Sequence, residues 1–259
     1  LKIDSTQHSF EKVIEGSIRQ FFFNEQENLI YAIEYVTSDI LVINNDFKVE
    51  RRIPVKINHM TGISMYKDHI IIMSSSNDNF VFLNKKTENI DETINFGDKS
   101  NSGQGLHHIN DCWLHEDNLY FSYFSRSGFW RNDIYDGGIS VLELSNRKIT
   151  DILHNLFQPH TPMIINNSLH FFESTLGKFY TSSHDQPFQG NGFLRGLDMF
   201  DDNYIIGQSE TLYMSRAKSL NHIILNSGIY VYNHQSKLTR FFDTSGIKNI
   251  HCLRINRFK

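Results

Sequence analysis

Asn28-Leu29-Ile30-Tyr31-Ala32-Ile33-Glu34 is a polar turn residue followed by a short apolar run. The pattern returns, in altered spelling, as HIIIMSS from His69, NLYFSYF from Asn118, SLHFFES from Ser168 and NYIIGQS from Asn203. Successive copies start 41, 49, 50 and 35 residues apart. Each run is β-branched or aromatic and of strand length, with a polar turn before it. A repeating unit of this size made of strands is the sequence mark of a blade array. The expected fold is therefore all-β, a β-propeller, whose privileged place for chemistry is the mouth of its central channel.

Each unit parses as four strands. In the second, they are expected at Thr61–Tyr66, Ile70–Ser75, Asn79–Asn84 and Glu92–Phe96. In the third they are expected at His108–Leu114, Leu119–Ser125, Gly138–Leu144 and Lys148–His154. The fourth is compressed to Thr161–Ile165, Leu169–Glu173 and Gly177–Ser182, followed by a Gly-rich stretch. The fifth runs Leu194–Phe200, Tyr204–Gly207, Gly228–Asn233 and Lys237–Phe242. Ser17–Phe23 and Ile250–Asn256 both read as inner strands. Five blades are thus expected, one completed jointly by the C-terminal strand and the N-terminal segment, which would leave no open edge. Six blades with one incomplete is the alternative. No low-complexity linker interrupts residues 1–259, which read as one domain.

Composition narrows the function classes. The 39% hydrophobic and 21% charged shares suit a globular protein with a large core. A net charge of −4 argues against a general nucleic-acid binder, which needs a basic face. No apolar run reaches the ~20 residues that span a bilayer. Cys112 and Cys252 are too few for a disulfide framework, and residues 1–16 lack an apolar signal core, so the expected location is cytoplasmic. Both cysteines are expected in the core.

Candidate functional residues lie where the inner strands begin: His59, His107 and His108, His160, Arg195 and His251. One imidazole at nearly every strand entry is more than thirteen histidines would place there by chance. The second strands add Glu34, Ser75, Glu173, Ser209 and Glu210 near the same depth. Two chemistries compete with a merely wet, polar channel lining. One is a cationic, proton-shuttling pocket for a small polar, anionic or sugar-like ligand. There Arg195 would recognise the charge, His108 and His160 would be the acid–base pair, and Glu173 would orient them. Asn110, Ser209, His59 and His251 would complete the binding set. Elimination, epimerisation and hydrolysis all remain open. The other chemistry is a divalent metal, Fe(II), Zn(II) or Mn(II), held by His59, His108, His160 and His251. Phe124, Phe129 and Trp130, on or beside the long loop Ser125–Gly137, are expected to cover the mouth. That loop and the aromatic content also suit a non-catalytic propeller that binds a protein partner.

An ordered set of short elements adds a resemblance: His108-Ile109-Asn110, Gly137-Gly138, Pro159-His160-Thr161-Pro162, Phe193-Leu194-Arg195-Gly196-Leu197, and Gly207-Gln208-Ser209 followed by Ser215-Arg216. Over roughly residues 105–220 the chain resembles a bacterial group of propeller-like proteins marked by a Pro-His-Ser-Pro signature. Thr161 stands for the usual Ser, Asp111 for a Gly, and one extra residue follows Glu173. The group has no agreed activity. The resemblance implies that His108, Asn110, His160, Arg195 and Ser209 belong together.

Overall fold

The computed structural model describes residues 2–4, 9–182, 184–210, 226–244 and 246–255, with side chains from Glu11 onward. All five copies of the opening pattern form the second strand of a blade. Blade 1 comprises β3 (Ile18–Asn24), β4 (Leu29–Glu34), β5 (Asp39–Asn44) and β6 (Val49–Pro54). Blade 2 comprises β7 (Met60–Tyr66), β8 (His69–Ser74), β9 (Asn79–Asn84) and β10 (Ile90–Asn95). Blade 3 comprises β11 (Ile109–His115), β12 (Asn118–Tyr123), β13 (Gly137–Glu143) and β14 (Lys148–Leu156). Blade 4 comprises β15 (Pro159–Ile165), β16 (Ser168–Glu173), β17 (Lys178–Tyr180) and β18 (Phe188–Gln189). Blade 5 comprises β19 (Phe193–Phe200), β20 (Asn203–Ser209), β21 (Gly228–Asn233) and β22 (Thr239–Asp243). Every blade is an antiparallel sheet of four consecutive strands, and the five are arranged as a β-propeller. Among the described residues β1 (Lys2–Asp4) and β2 (Ser9–Glu11) pair only with each other.

The shared blade expected from the two termini does not form. Blade 1 is complete without help, and residues 250–255 are irregular. The C-terminal segment is held instead by bonds that a strand ladder does not use. Ser209 Oγ accepts the Ile250 N–H at 2.9 Å, and the Asp198 carboxylate accepts the Ile255 N–H at 2.7 Å. Arg254 donates to the Leu197 carbonyl at 3.0 Å. Two glycines admit this segment. A Cβ on Gly196, whose φ is +81°, would stand 2.9 Å from the Leu253 nitrogen, and one on Gly207 would meet Ile250 at 2.7 Å.

The contacts divide the chain into two compact units, one holding blades 1–3 and the other blades 4 and 5 with the C-terminal segment. In the first, β8 shows why an unbroken apolar run makes a strand here. Ile70 and Ile72 pack into the core shared with blade 1, whereas Ile71 and Met73 pack with Phe80, Phe82, Phe96 and Phe121 into the core shared with blade 3. Alternate side chains leave opposite faces, and both faces are covered. In the second unit the packing is aromatic: Phe179 meets Tyr204 at 5.0 Å, and Phe188 meets Tyr230 at 5.0 Å. Phe188 lies on β18, a strand within the stretch read as Gly-rich loop. Cys112 is buried and Cys252 only half-buried, so core placement holds for one of the two cysteines.

Candidate functional site

All five inner strands carry an irregularity one or two pairs into their pairing with the second strand. It falls between Ile18 and Phe21, Met60 and Gly62, Asn110 and Cys112, His160 and Met163, and Leu194 and Leu197. A bulge re-aims the side chains it carries. The first residue inside each is Arg19, Thr61, Asp111, Thr161 and Arg195. Positive φ at His59 (50°), His108 (52°) and Thr161 (53°) turns the chain at the same places. The strand entries are thus special positions, as the histidine pattern implies. Each imidazole, however, has its own surroundings.

In blades 4 and 5 three expected binding residues come together. Arg195 is only 5% exposed. Its guanidinium donates to Nδ1 of His251 at 2.7 Å. A guanidinium only donates, so Nδ1 is an acceptor and the imidazole is neutral, with its proton on Nε2. Ser209 fixes this pair indirectly, because its hydroxyl bonds both the N–H and the carbonyl of Ile250, the residue before His251. His160 is fully buried in the same unit, edge-on to Phe193. Its Nδ1 lies 3.1 Å from the Gln158 carbonyl and 2.9 Å from Ser174 Oγ. A carbonyl only accepts, so Nδ1 carries the proton and does not activate Ser174. Thr161 Oγ1 accepts the Gly196 N–H at 3.1 Å and so ties the two strand entries together.

The carboxylates at the ends of the second strands are backbone clamps. Glu173 accepts the Phe157 N–H at 2.8 Å and the Tyr180 hydroxyl at 2.7 Å. Burial first, and then that bond to Glu173 and its charge, push the Tyr180 phenol well up. Glu34 repeats the device in blade 1, accepting the Ser17 and Thr37 N–H groups. Burial raises its pKa, but these bonds outweigh burial and leave it below the usual carboxylate range. In blade 2, Asp78 accepts the N–H groups of His107 and Ile109. Burial dominates there and raises its pKa.

In blades 1–3 the other candidates take separate places. His108 packs against Phe124 at 4.4 Å and Trp130 at 4.9 Å, and Trp130 is pinned by its indole N–H to the Gly105 carbonyl. Two of the three aromatic residues expected as a cover thus lie on His108, whereas Phe129 is 47% exposed beneath the Lys99 ammonium. His107 bonds the Ser125 carbonyl and packs on Phe96, a core position. Asn110 is buried, and its side chain accepts the Asp111 N–H. His59 is exposed, with Nδ1 2.7 Å from the Tyr35 hydroxyl. Gln20, in the bulge of β3, accepts the Ile63 N–H and donates to the Cys112 carbonyl, so one buried amide joins three inner strands. The histidine pattern points to none of Arg19, Gln20 or Tyr35. The first two sit in the bulge of β3, which shows only once the strands are paired. Ser215 and Arg216 lie outside the described residues.

Among the described residues no three His, Cys, Asp or Glu side chains are grouped to hold a metal ion. The set His59, His108, His160 and His251 is therefore not a ligand cluster. Arg195 occupies Nδ1 of His251, the Gln158 carbonyl takes the Nδ1 proton of His160, Tyr35 occupies His59, and His108 is stacked among aromatic rings. Among the described residues no helix is long and apolar enough to cross a membrane.

No protein-family model and no curated protein matches the sequence. Solved structures do. A luciferin-regenerating enzyme is 10% identical with a TM-score of 0.62, over 87% of this chain and 76% of that one. Regucalcin from Agrobacterium tumefaciens, a calcium-binding protein, is 11% identical with a TM-score of 0.61, over 91% of this chain and 76% of that one. A chain of a nidogen/laminin complex is 10% identical with a TM-score of 0.60, over 87% and 79%. An enzyme, a calcium-binding protein and a chain of a protein complex share this architecture, so the likeness establishes the propeller fold, and the chemistry has to be argued from the residues.

Proposed function

We propose that this propeller binds a small polar anion, of the carboxylate or phosphate class, at the Arg195–His251 pair of blade 5, and acts on it by acid–base chemistry. The observation that carries this reading is the 2.7 Å bond from a buried guanidinium to Nδ1 of His251. It provides a fixed positive charge beside an imidazole whose remaining nitrogen donates a hydrogen bond. That combination recognises an oxyanion and polarises it. Burial strengthens both effects, because the dielectric is lower than in water. His160, buried in the same unit, is the acid–base candidate of this reading. Glu173 serves as a clamp in this reading and has no part in proton transfer. Elimination, epimerisation and hydrolysis each fit an acid–base pair of this kind. Kinship with the Pro-His-Ser-Pro group and a cytoplasmic location, consistent with two cysteines that form no disulfide, belong to the same proposal.

The test is a thermal-shift screen of small carboxylates, sugar acids and sugar phosphates against the parent and the variants Arg195→Lys and His251→Gln. A ligand at 100 times its Kd stabilises by about 2.7 kcal/mol, which in a chain of this size is a rise of about 5 °C or more. At least one anion should give that rise in the parent and lose most of it in both folded variants. No response to any anion, or equal responses in parent and variants, would remove the proposal.

A second reading has its own observation. Phe129 and Ile134, on the Ser125–Gly137 loop, are 47% and 50% exposed. Two large apolar side chains presented by an internally bonded loop suit a protein partner. Pull-down of a partner by the parent, lost on Phe129→Ser with Ile134→Ser, would favour it.

A further inference from the structure

Blades 4 and 5 are also joined through a histidine in the middle of β16, away from the strand entries. His170 is 3% exposed, and both of its ring nitrogens are engaged. Nδ1 lies 2.9 Å from the Ser168 carbonyl, and Nε2 lies 3.0 Å from the Tyr204 hydroxyl of β20. We propose that His170 is an acid-operated latch: neutral, it holds blade 4 to blade 5, and on protonation it releases them.

The two bonds fix where the ring proton sits. A carbonyl only accepts, so Nδ1 carries the proton and Nε2 is a bare acceptor. The Tyr204 hydroxyl is therefore the donor across the seam. It keeps its proton, because burial first, then the charge of Asp185 and the neighbouring Tyr232, push the phenol up. A second proton on the imidazole turns Nε2 into a donor. Two donors then face each other, and the hydroxyl has to turn away.

The surroundings decide against the charged ring. Phe179 of β17 lies 6.0 Å from the imidazole and 5.0 Å from Tyr204, and Tyr232 of β21 stacks on Tyr204 at 6.4 Å. His234 lies beyond Tyr204 at 5.8 Å, with its Nδ1 donating to the Asp202 carbonyl. Asp185, anchored by the Thr181 hydroxyl, is the carboxylate whose charge favours the imidazolium. Burial is the larger effect. It lowers the pKa of His170, and the Ser168 bond and Asp185 only partly restore it. The sign follows. Closure is complete above the ordinary histidine range and is lost as pH falls from there through the depressed value. β20 ends in Ser209, whose hydroxyl accepts the Ile250 N–H, so opening of β20 also loosens the C-terminal segment. The latch is argued without the Arg195–His251 bond and stands whether or not an anion binds there.

The test is hydrogen exchange on the full chain from about pH 7.5 to about pH 5.5, corrected for intrinsic rates. Uptake of one proton on opening raises the opening constant about tenfold per pH unit below about 6.5. Protection in β16 and β20 should fall on that slope, with Ile250 following and β8 and β12 unchanged. His170→Gln keeps a donor and an acceptor but takes no proton in this range, so its protection should be independent of pH. Tyr204→Phe, which removes the bond and leaves the ring, should open the seam about fivefold already at neutral pH. The proposal fails if protection in the parent is independent of pH, or if His170→Gln keeps the slope of the parent. It also fails if β8 and β12 lose protection in parallel, or if Ile250 stays protected while β20 opens. Should His170→Gln not fold, the ring nitrogen shifts of His170 in the parent decide: an imidazole that charges inside the closed seam overturns the latch.

Discussion

At the scale of the residue, Gln20 has a structural role larger than its size. It is 5% exposed, and its amide serves Ile63 on β7 and Cys112 on β11. Gln20→Leu keeps a similar volume but strands a buried N–H and a buried carbonyl. The expected cost is about 2–4 kcal/mol, read as a lower urea midpoint with an unchanged m-value. A loss below 0.5 kcal/mol would mean that water replaces the amide. Glu34 gives a pH prediction. Its folded pKa lies below the ordinary value, so the stability it contributes is complete above the ordinary carboxylate range and is lost as pH falls through the depressed pKa. Glu34→Gln should therefore melt below the parent at neutral pH, with the gap closing on acidification. A gap constant down to acid pH would contradict the assignment. Asp78 has the opposite sign, since burial raises its pKa and its ionised form weakens the fold as pH rises through that value.

At the scale of the element, the C-terminal segment depends on the left-handed glycine in β19. Gly196→Ala would place a Cβ 2.9 Å from the Leu253 nitrogen at a φ of +81°. The expected loss is about 1–2 kcal/mol, concentrated in residues 248–255. Hydrogen exchange should show those amides deprotected, with β8 and β12 unchanged, and uniform deprotection would overturn the local reading. Elements of this kind mark the border of what the sequence reveals. The second strands are plain because each couples a polar turn to an apolar run, as in Asp68 before Ile70–Met73. β18 is hidden because two residues between Pro187 and Gly190 carry no periodicity. The C-terminal segment resembles a strand in its alternation, yet it docks through Ser209, Asp198 and Arg254, and no pattern rule sees a side chain that replaces a ladder. Among site residues, Arg195, Ser209 and His251 were legible as a group. Arg19 was not, because a bulge is a property of pairing and leaves no mark in one strand's composition.

At the scale of the whole molecule, five blades of one spelling hold sites of different spelling. The cores are apolar and aromatic, and no cluster of metal-binding side chains supports them among the described residues. Dialysis against EDTA should therefore leave Tm within about 1 °C of the untreated protein, because removing a metal lowers Tm only where the folded state binds one. A fall of several degrees, reversed by zinc, manganese or calcium, would show a structural metal. The order of the parts along the chain carries a consequence of its own. His251 follows Arg195 by 56 residues and comes after all four strands of blade 5. On a ribosome adding about 5–20 residues per second, roughly 3 to 11 s separate the two. Blade 4 and the first strand of blade 5 can be made and paired while the histidine is still unsynthesised. The nascent protein thus acquires its architecture first, and a chain released early would be folded in large part but would lack the imidazole of the proposed anion site.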